Sequence, residues 1–142
     1  MKVVGFSFTK LSASKEEKFE SSNIKTKIDF KNIEIEPVEF LKEEAIKIAF
    51  EYSLSYTKEE ESKKAKEPKK FGELSFEGFI ILSVTEEEKK NVLKAWKKKE
   101  LPNEFKVPVF NFILRKCTPR AIHLQDELGL PFHIPMPKIA KQ

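Results

Sequence analysis

The chain has 142 residues, 39% of them hydrophobic and 35% charged, with a formal net charge of +4 from 27 basic and 23 acidic side chains. That size predicts a single domain over 1–142 with a modest core, and the mixture of apolar and charged residues excludes disorder. The positive excess is mild and both signs are interleaved, so nucleic-acid contact is permitted without being demanded.

Residues 2–12 read as a first strand, with Val4, Phe6 and Phe8 on one face and Val3, Gly5, Ser7 and Thr9 on the other. The polar stretch 15–22 reads as a turn or loop. Residues 23–36 read as a second strand whose apolar phase breaks: Ile24, Ile28 and Phe30 are even-numbered, Ile33 and Ile35 odd-numbered. A change of face needs an extra residue, which predicts a bulge at Lys31 and Asn32. Pro37 lacks an N–H and ends that pairing, and Val38, Phe40 and Leu41 carry apolar character into a connector.

The strongest signal is the third strand, about 44–57. Ile46, Ile48, Phe50, Tyr52, Leu54 and Tyr56 alternate with Lys47, Ala49, Glu51, Ser53 and Ser55. Period two marks one apolar face and one mostly polar face, over a length well above the usual strand. Lysines and glutamates then interleave over 58–70, as a solvated hairpin loop would. The alternation returns over 71–85 in Leu74, Phe76, Gly78, Ile80, Leu82 and Val84, while Phe79 and Ile81 make the other face partly apolar and predict cover on both sides there.

The period now changes. Thr85 with Glu88 three residues on forms the signature of a capping box, and Val92, Leu93 and Trp96 make a short apolar stripe. Lys97, Lys98 and Lys99 suit the negative end of that helix. Leu101-Pro102 breaks it. Pro108 then fits the first turn of a second helix that is apolar nearly all round, and Thr118-Pro119 fits the start of a third carrying Ala121, Ile122, Leu124, Gln125 and Leu128, stopped by Gly129. Leu130-Pro131-Phe132-His133-Ile134-Pro135-Met136-Pro137-Lys138-Ile139 alternates proline with large apolar groups. Such a strip is extended and lies on an apolar surface, either covering its own domain or lining a groove.

Catalytic and ligand signatures are absent. His123, His133 and the single Cys117 fit no zinc pattern, and Cys117 has Phe110 and Leu114 among its helical neighbours, which predicts a buried, inert thiol and no internal disulfide. Gly5, Gly72, Gly78 and Gly129 are too scattered to cradle a phosphate or dinucleotide. His123 with Asp126 is an acid–base pair in helical register and reads as a surface contact. The expectation is a non-enzymatic protein with no cofactor and no metal. The first residues carry no apolar signal core and no run reaches eighteen apolar residues, so a cytoplasmic protein without membrane insertion is expected.

Four strands, a helix, a proline break, an apolar helical stretch and a proline-rich tail resemble the SecB family of protein-export chaperones. The resemblance rests on Phe6-Ser7-Phe8-Thr9-Lys10-Leu11-Ser12 as its first-strand segment and on Phe71-Gly72-Glu73-Leu74-Ser75-Phe76-Glu77-Gly78-Phe79 as its fourth. The stretch Pro108–Cys117, followed by Leu130-Pro131-Phe132-His133-Ile134-Pro135, completes it. Bacterial members are strongly acidic where this chain is mildly basic, so it looks more like the archaeal or toxin–antitoxin-associated relatives.

The resemblance implies an α+β domain, a four-stranded antiparallel sheet with C-terminal helices on one face. It further implies assembly as a dimer or tetramer of identical chains and an ATP-independent holdase, in some members serving export, that grips unfolded polypeptides in apolar grooves. The side chains suited to such a groove are Phe6, Phe8, Phe30, Tyr52, Tyr56, Phe76, Phe132, Ile134 and Met136, and each of them also suits a core position. Two other classes compete: a nucleic-acid-binding or ribosome-associated protein, using the lysines of 63–70 and 97–99, and a structural subunit of a specific complex.

Overall fold

The two period-two runs become the middle of the sheet. β1 (Lys2–Lys15), β2 (Asn23–Glu36), β3 (Glu44–Thr57) and β4 (Lys70–Val84) are followed by α1 (Glu86–Trp96) and α2 (Asn103–Leu128). The computed structural model describes residues 1–21, 23–36, 44–58 and 69–140. The connector with Pro37, Val38, Phe40 and Leu41, and most of the lysine–glutamate run, lie outside the described residues.

The four strands form one antiparallel sheet in the order β1-β4-β3-β2. Ile46, Ile48, Tyr52, Leu54, Tyr56, Leu74, Phe76, Ile80 and Leu82 are all fully buried on one face. Each such side chain contributes about 1.5–3 kcal/mol on leaving water, and together they form the floor of the core. Both helices place their buried residues in this same cluster, so the α+β architecture expected from the sequence is the one observed. Among the described residues no second layer covers the opposite face. Phe79 and Ile81 are half-buried there, and Phe79 lies under Lys47, whose Nζ is 4.2 Å from the ring centroid.

The phase break in β2 falls where the sequence places it. Phe30 pairs with Phe50 and Asn32 with Ala49, which leaves Lys31 as the extra residue. β1 holds two such irregularities that the alternation did not reveal. Register shifts between Val3 and Gly5 and between Phe8 and Lys10 make Val4 and Thr9 the extra residues. Val3 therefore packs on the core and Val4 is exposed, the reverse of their expected faces, while Phe6 and Phe8 do share a face against the core.

The segment 16–21 is more than a turn. β1 and β2 occupy opposite edges, so the chain crosses the end of the sheet between them. Phe19 anchors this crossing with its ring 5.7 Å from Tyr56, and the Ser21 hydroxyl donates to the Thr57 carbonyl at 3.0 Å.

α1 begins as expected. Thr85 accepts from the Glu88 N–H at 3.2 Å, and Glu88 accepts from the Thr85 N–H at 3.0 Å. Val92 is buried, with Leu93 and Trp96 half-buried beside it. The expected second and third helices are one. α2 runs for 26 residues with Pro108 and Pro119 inside it and Thr118 mid-helix. An interior proline costs about 3 kcal/mol through a lost hydrogen bond and a clash with the preceding turn. Tertiary packing overrides that local penalty. Phe105, Val109, Ile113, Cys117, Ala121 and Gln125 are buried in sequence along the helix, and both prolines are exposed. Gly129, at φ 66°, ends the helix in the left-handed conformation. Its N–H bonds to the Asp126 carbonyl and that of Leu130 to the Gln125 carbonyl, the two bonds of a Schellman stop.

Candidate functional site

After Gly129 the chain folds back on the sheet, and here the polar groups of the core collect. Tyr56, on β3, is fully buried, and its hydroxyl donates to the Pro131 carbonyl at 2.6 Å. Gln125, from α2 and also fully buried, donates from Nε2 to that hydroxyl at 2.8 Å. His133 Nδ1 lies 3.0 Å from Gln125 Nε2 and 3.2 Å from its Oε1. In the neutral ring the shorter contact has the amide donating to Nδ1. The ring proton then sits on Nε2, which is 3.5 Å from the Tyr52 hydroxyl. Burial raises the Tyr52 and Tyr56 hydroxyls above the ordinary phenol value, the Gln125 bond partly opposing it for Tyr56, and burial lowers His133. All four groups are therefore neutral near pH 7, and none adds a charge to the core.

Leu130 is buried at the start of this tail, but the groups beyond it are only partly covered. Phe132, Ile134 and Met136 retain 37%, 36% and 42% of their surface, and Ile139 is 99% exposed. Residues Phe132, Ile134, Pro135, Met136, Pro137 and Lys138 bound an open recess of about 480 Å³. The proline spacing predicts an apolar strip outside any ladder, which is what the tail forms, while its polar anchors at Pro131 and His133 have no signal in that spacing.

The other residues singled out from the sequence fall into two positions. Tyr52, Tyr56 and Phe76 form the floor, wholly covered, with the Tyr52 and Phe76 rings stacked at 5.5 Å. Phe6, Phe8 and Phe30 are half-buried at the flanks of α2. On the β1 side, Phe6 packs 5.0 Å from Phe8, 5.6 Å from Phe50 and 5.6 Å from Phe112. On the β2 side, Phe30 meets Phe110 at 5.3 Å. The structure brings the floor residues together with the tail. It places Phe6 and Phe8 apart from Phe30, across the sheet.

Several apolar groups at this surface escaped the sequence reading. Leu11 on β1 and Val107 and Leu114 on α2 are 45%, 64% and 37% exposed. Val107, Phe110 and Leu114 repeat at the three-and-four spacing of a helix face, a second stripe hidden in a segment that is apolar nearly all round. Gln125 carries no hydrophobic signal, and nothing local to it announces a partner on β3.

Cys117 is buried and its thiol pushed up to about 12 by that burial, so it stays protonated. His123 pairs with Glu127 at 3.0 Å rather than with Asp126, on the exposed side of α2. Among the described residues no group of three or more His, Cys, Asp or Glu side chains could hold a metal ion, and no helix is long and apolar enough to cross a membrane.

These features define an α+β domain with one sheet face under two helices and apolar groups open along both flanks of the longer helix. No protein-family model and no curated protein matches the sequence. Among solved structures, the chain is similar to the SecB-like chaperone of Mycobacterium tuberculosis in complex with a ChAD peptide from the HigA1 antitoxin. The match covers 99% of this chain and 91% of that one at 10% identity, with a TM-score of 0.45.

Proposed function

We propose that the protein is an ATP-independent holdase that binds non-native polypeptides on the apolar surface around α2, and that it works in the cytoplasm as a homo-oligomer. The supporting observation is the set of partly open large apolar side chains that the domain leaves uncovered: Leu11, Val107, Leu114, Phe132, Ile134 and Met136. Scattered single apolar residues on a surface need no explanation, whereas large apolar groups left open in succession, as along 132–136, mark a place that takes an apolar chain. Burial there contributes about 25 cal/mol per Å² and is non-directional, so different clients suit the same surface.

In this reading Phe6, Phe8 and Phe30 are walls, Tyr52, Tyr56 and Phe76 the floor, and Phe132, Ile134 and Met136 the strip that holds the place above that floor until a client takes it. Two long edge strands, β1 and β2, of 14 residues each, supply the pairing edges that subunit assembly would cover. The test is suppression of aggregation of a chemically unfolded model protein, without nucleotide. Suppression at several-fold excess that persists in high salt supports the holdase. Failure at that excess rejects it, and steeply salt-dependent RNA binding in its place would favour the nucleic-acid reading.

A further inference from the structure

We propose that the tail 131–137 is a resident stand-in for a client: an intramolecular strap seated in a peptide-binding trough on β3, which an extended, proline-containing apolar polypeptide enters by displacing it. The proposal rests on the holdase reading and says what the trough selects.

The tail binds as an outside peptide would. It joins no strand, since Pro131, Pro135 and Pro137 remove ladder donors. It is held by one main-chain group, the Pro131 carbonyl on the Tyr56 hydroxyl at 2.6 Å, and by one side chain, His133 against Gln125. The first contact reads only backbone, which every polypeptide carries. Gln125 orients that reader, because its amide donates to the Tyr56 oxygen at 2.8 Å and so directs the phenol proton outward.

The tail is also incompletely bound. Its three large apolar groups keep more than a third of their surface in water, between 36% and 42%. Only Leu130, next to the helix stop, is well buried. A segment with few buried contacts and no backbone ladder lies at the low end of local stability and opens without global unfolding. When it lifts, Tyr52 and Tyr56 are uncovered with hydroxyls that need partners. A client with a free carbonyl and large apolar residues at alternate positions then restores the main-chain and apolar contacts the tail made, and a histidine between those residues restores the contact to Gln125 as well. The pattern Pro131-Phe132-His133-Ile134-Pro135 is thus a template for the preferred client: proline, large apolar, histidine, large apolar, proline.

The experiment compares full-length protein with the chain ending at Leu130, using a fluorescent synthetic peptide of residues 129–140 as probe. The shortened chain is expected to bind the peptide, with the full chain about ten-fold weaker because its own tail competes. A peptide carrying Phe132→Ser and Ile134→Ser is expected to bind neither. In the full chain, the same two substitutions loosen the strap and should strengthen capture of an unfolded model protein. Tyr56→Phe, which keeps the ring and removes the donor, should weaken peptide binding by the shortened chain.

Equal peptide affinity for the two lengths overturns the proposal. So does no binding by a shortened chain that circular dichroism shows folded, or loss of capture by the full-length double variant. If the shortened chain fails to fold, the full-length double variant decides alone. Competitive peptide binding without any suppression of aggregation would leave the strap standing and reject the holdase.

Discussion

Phe50 fills the space above Gly78: a Cβ on residue 78 would lie 3.1 Å from Cζ of that ring and would collide with the Ser7 carbonyl oxygen. The glycine is there for close approach, because its neighbours on both adjacent strands, Phe8 and Phe50, are aromatic. Its absent side chain lets Phe50 lie flat enough to stack on Phe6, at an interplanar angle of 24°. Gly78→Ala overpacks this point and is expected to destabilise the domain by about 1–3 kcal/mol. Urea unfolding should show a lower midpoint with an unchanged slope. An unchanged midpoint would mean that the sheet relaxes around a methyl group.

The capping box of α1 gives a second expectation. Thr85→Ala removes the acceptor for the Glu88 N–H and should cost about 0.5–2 kcal/mol, while Thr85→Ser should restore most of it. Thermal melts of the three proteins provide the comparison.

Pro119 sits on the exposed side of α2, where its ring opposes the helix that packing imposes. Pro119→Ala restores an N–H to bond the Arg115 carbonyl and should raise stability by about 1–3 kcal/mol. A loss of stability would show instead that the proline shapes the helix to the twisted sheet.

Protonation of His133 supplies a pH dependence. Burial holds its pKa below the ordinary imidazole value, so the unfolded chain binds the proton more readily than the folded one. Its contribution is fully present above the unfolded value of about 6.5 and declines as pH falls through the lower folded value. The wild type should therefore lose stability between pH 7 and pH 5, with a smaller loss in His133→Asn, measured by urea titrations across that range. Glu88 acts in a lower window, since the Thr85 backbone bond and the adjacent amino terminus hold its carboxyl below the usual range. Parallel curves for wild type and variant would exclude His133 as the titrating group.

The second stripe on α2 is a functional expectation. Val107→Ser is expected to change stability by no more than about 0.5 kcal/mol, as its side chain is 64% exposed. Under the holdase reading it should reduce aggregation suppression. Full suppression by a Val107→Ser, Leu11→Ser double variant would place the client elsewhere.

Much of this architecture is legible in the alternation of Ile46 to Tyr56 and of Leu74 to Val84, because period two with one face buried leaves a strand a single register. The Lys31 bulge is legible for the same reason, since a flip from Phe30 to Ile33 has only one cheap geometric solution. β1 hid its two bulges because Val3 and Val4 are equally apolar, and a shift between them leaves no trace in the pattern. The single α2 was obscured by Pro108 and Pro119, whose local penalty is real but smaller than the packing that overrides it. Hardest of all was the Gln125–Tyr56–Pro131 chain: it joins residues 69 positions apart through polar atoms, and hydrophobic periodicity says nothing of them.

The placement of β1 bears on how the molecule is made. Lys2 pairs with Ser83, and every other partner of β1 also lies on β4. On a ribosome the first strand must wait, unpaired, until the last one has emerged. A long loop must close before the β1 edge is secured, whereas β2 pairs with β3, its neighbour in sequence, and the long closure slows folding relative to a helical domain of similar size. A nascent chain of this protein therefore carries its own Phe6 and Phe8 in the open for most of its synthesis, and is briefly the kind of molecule it is proposed to protect.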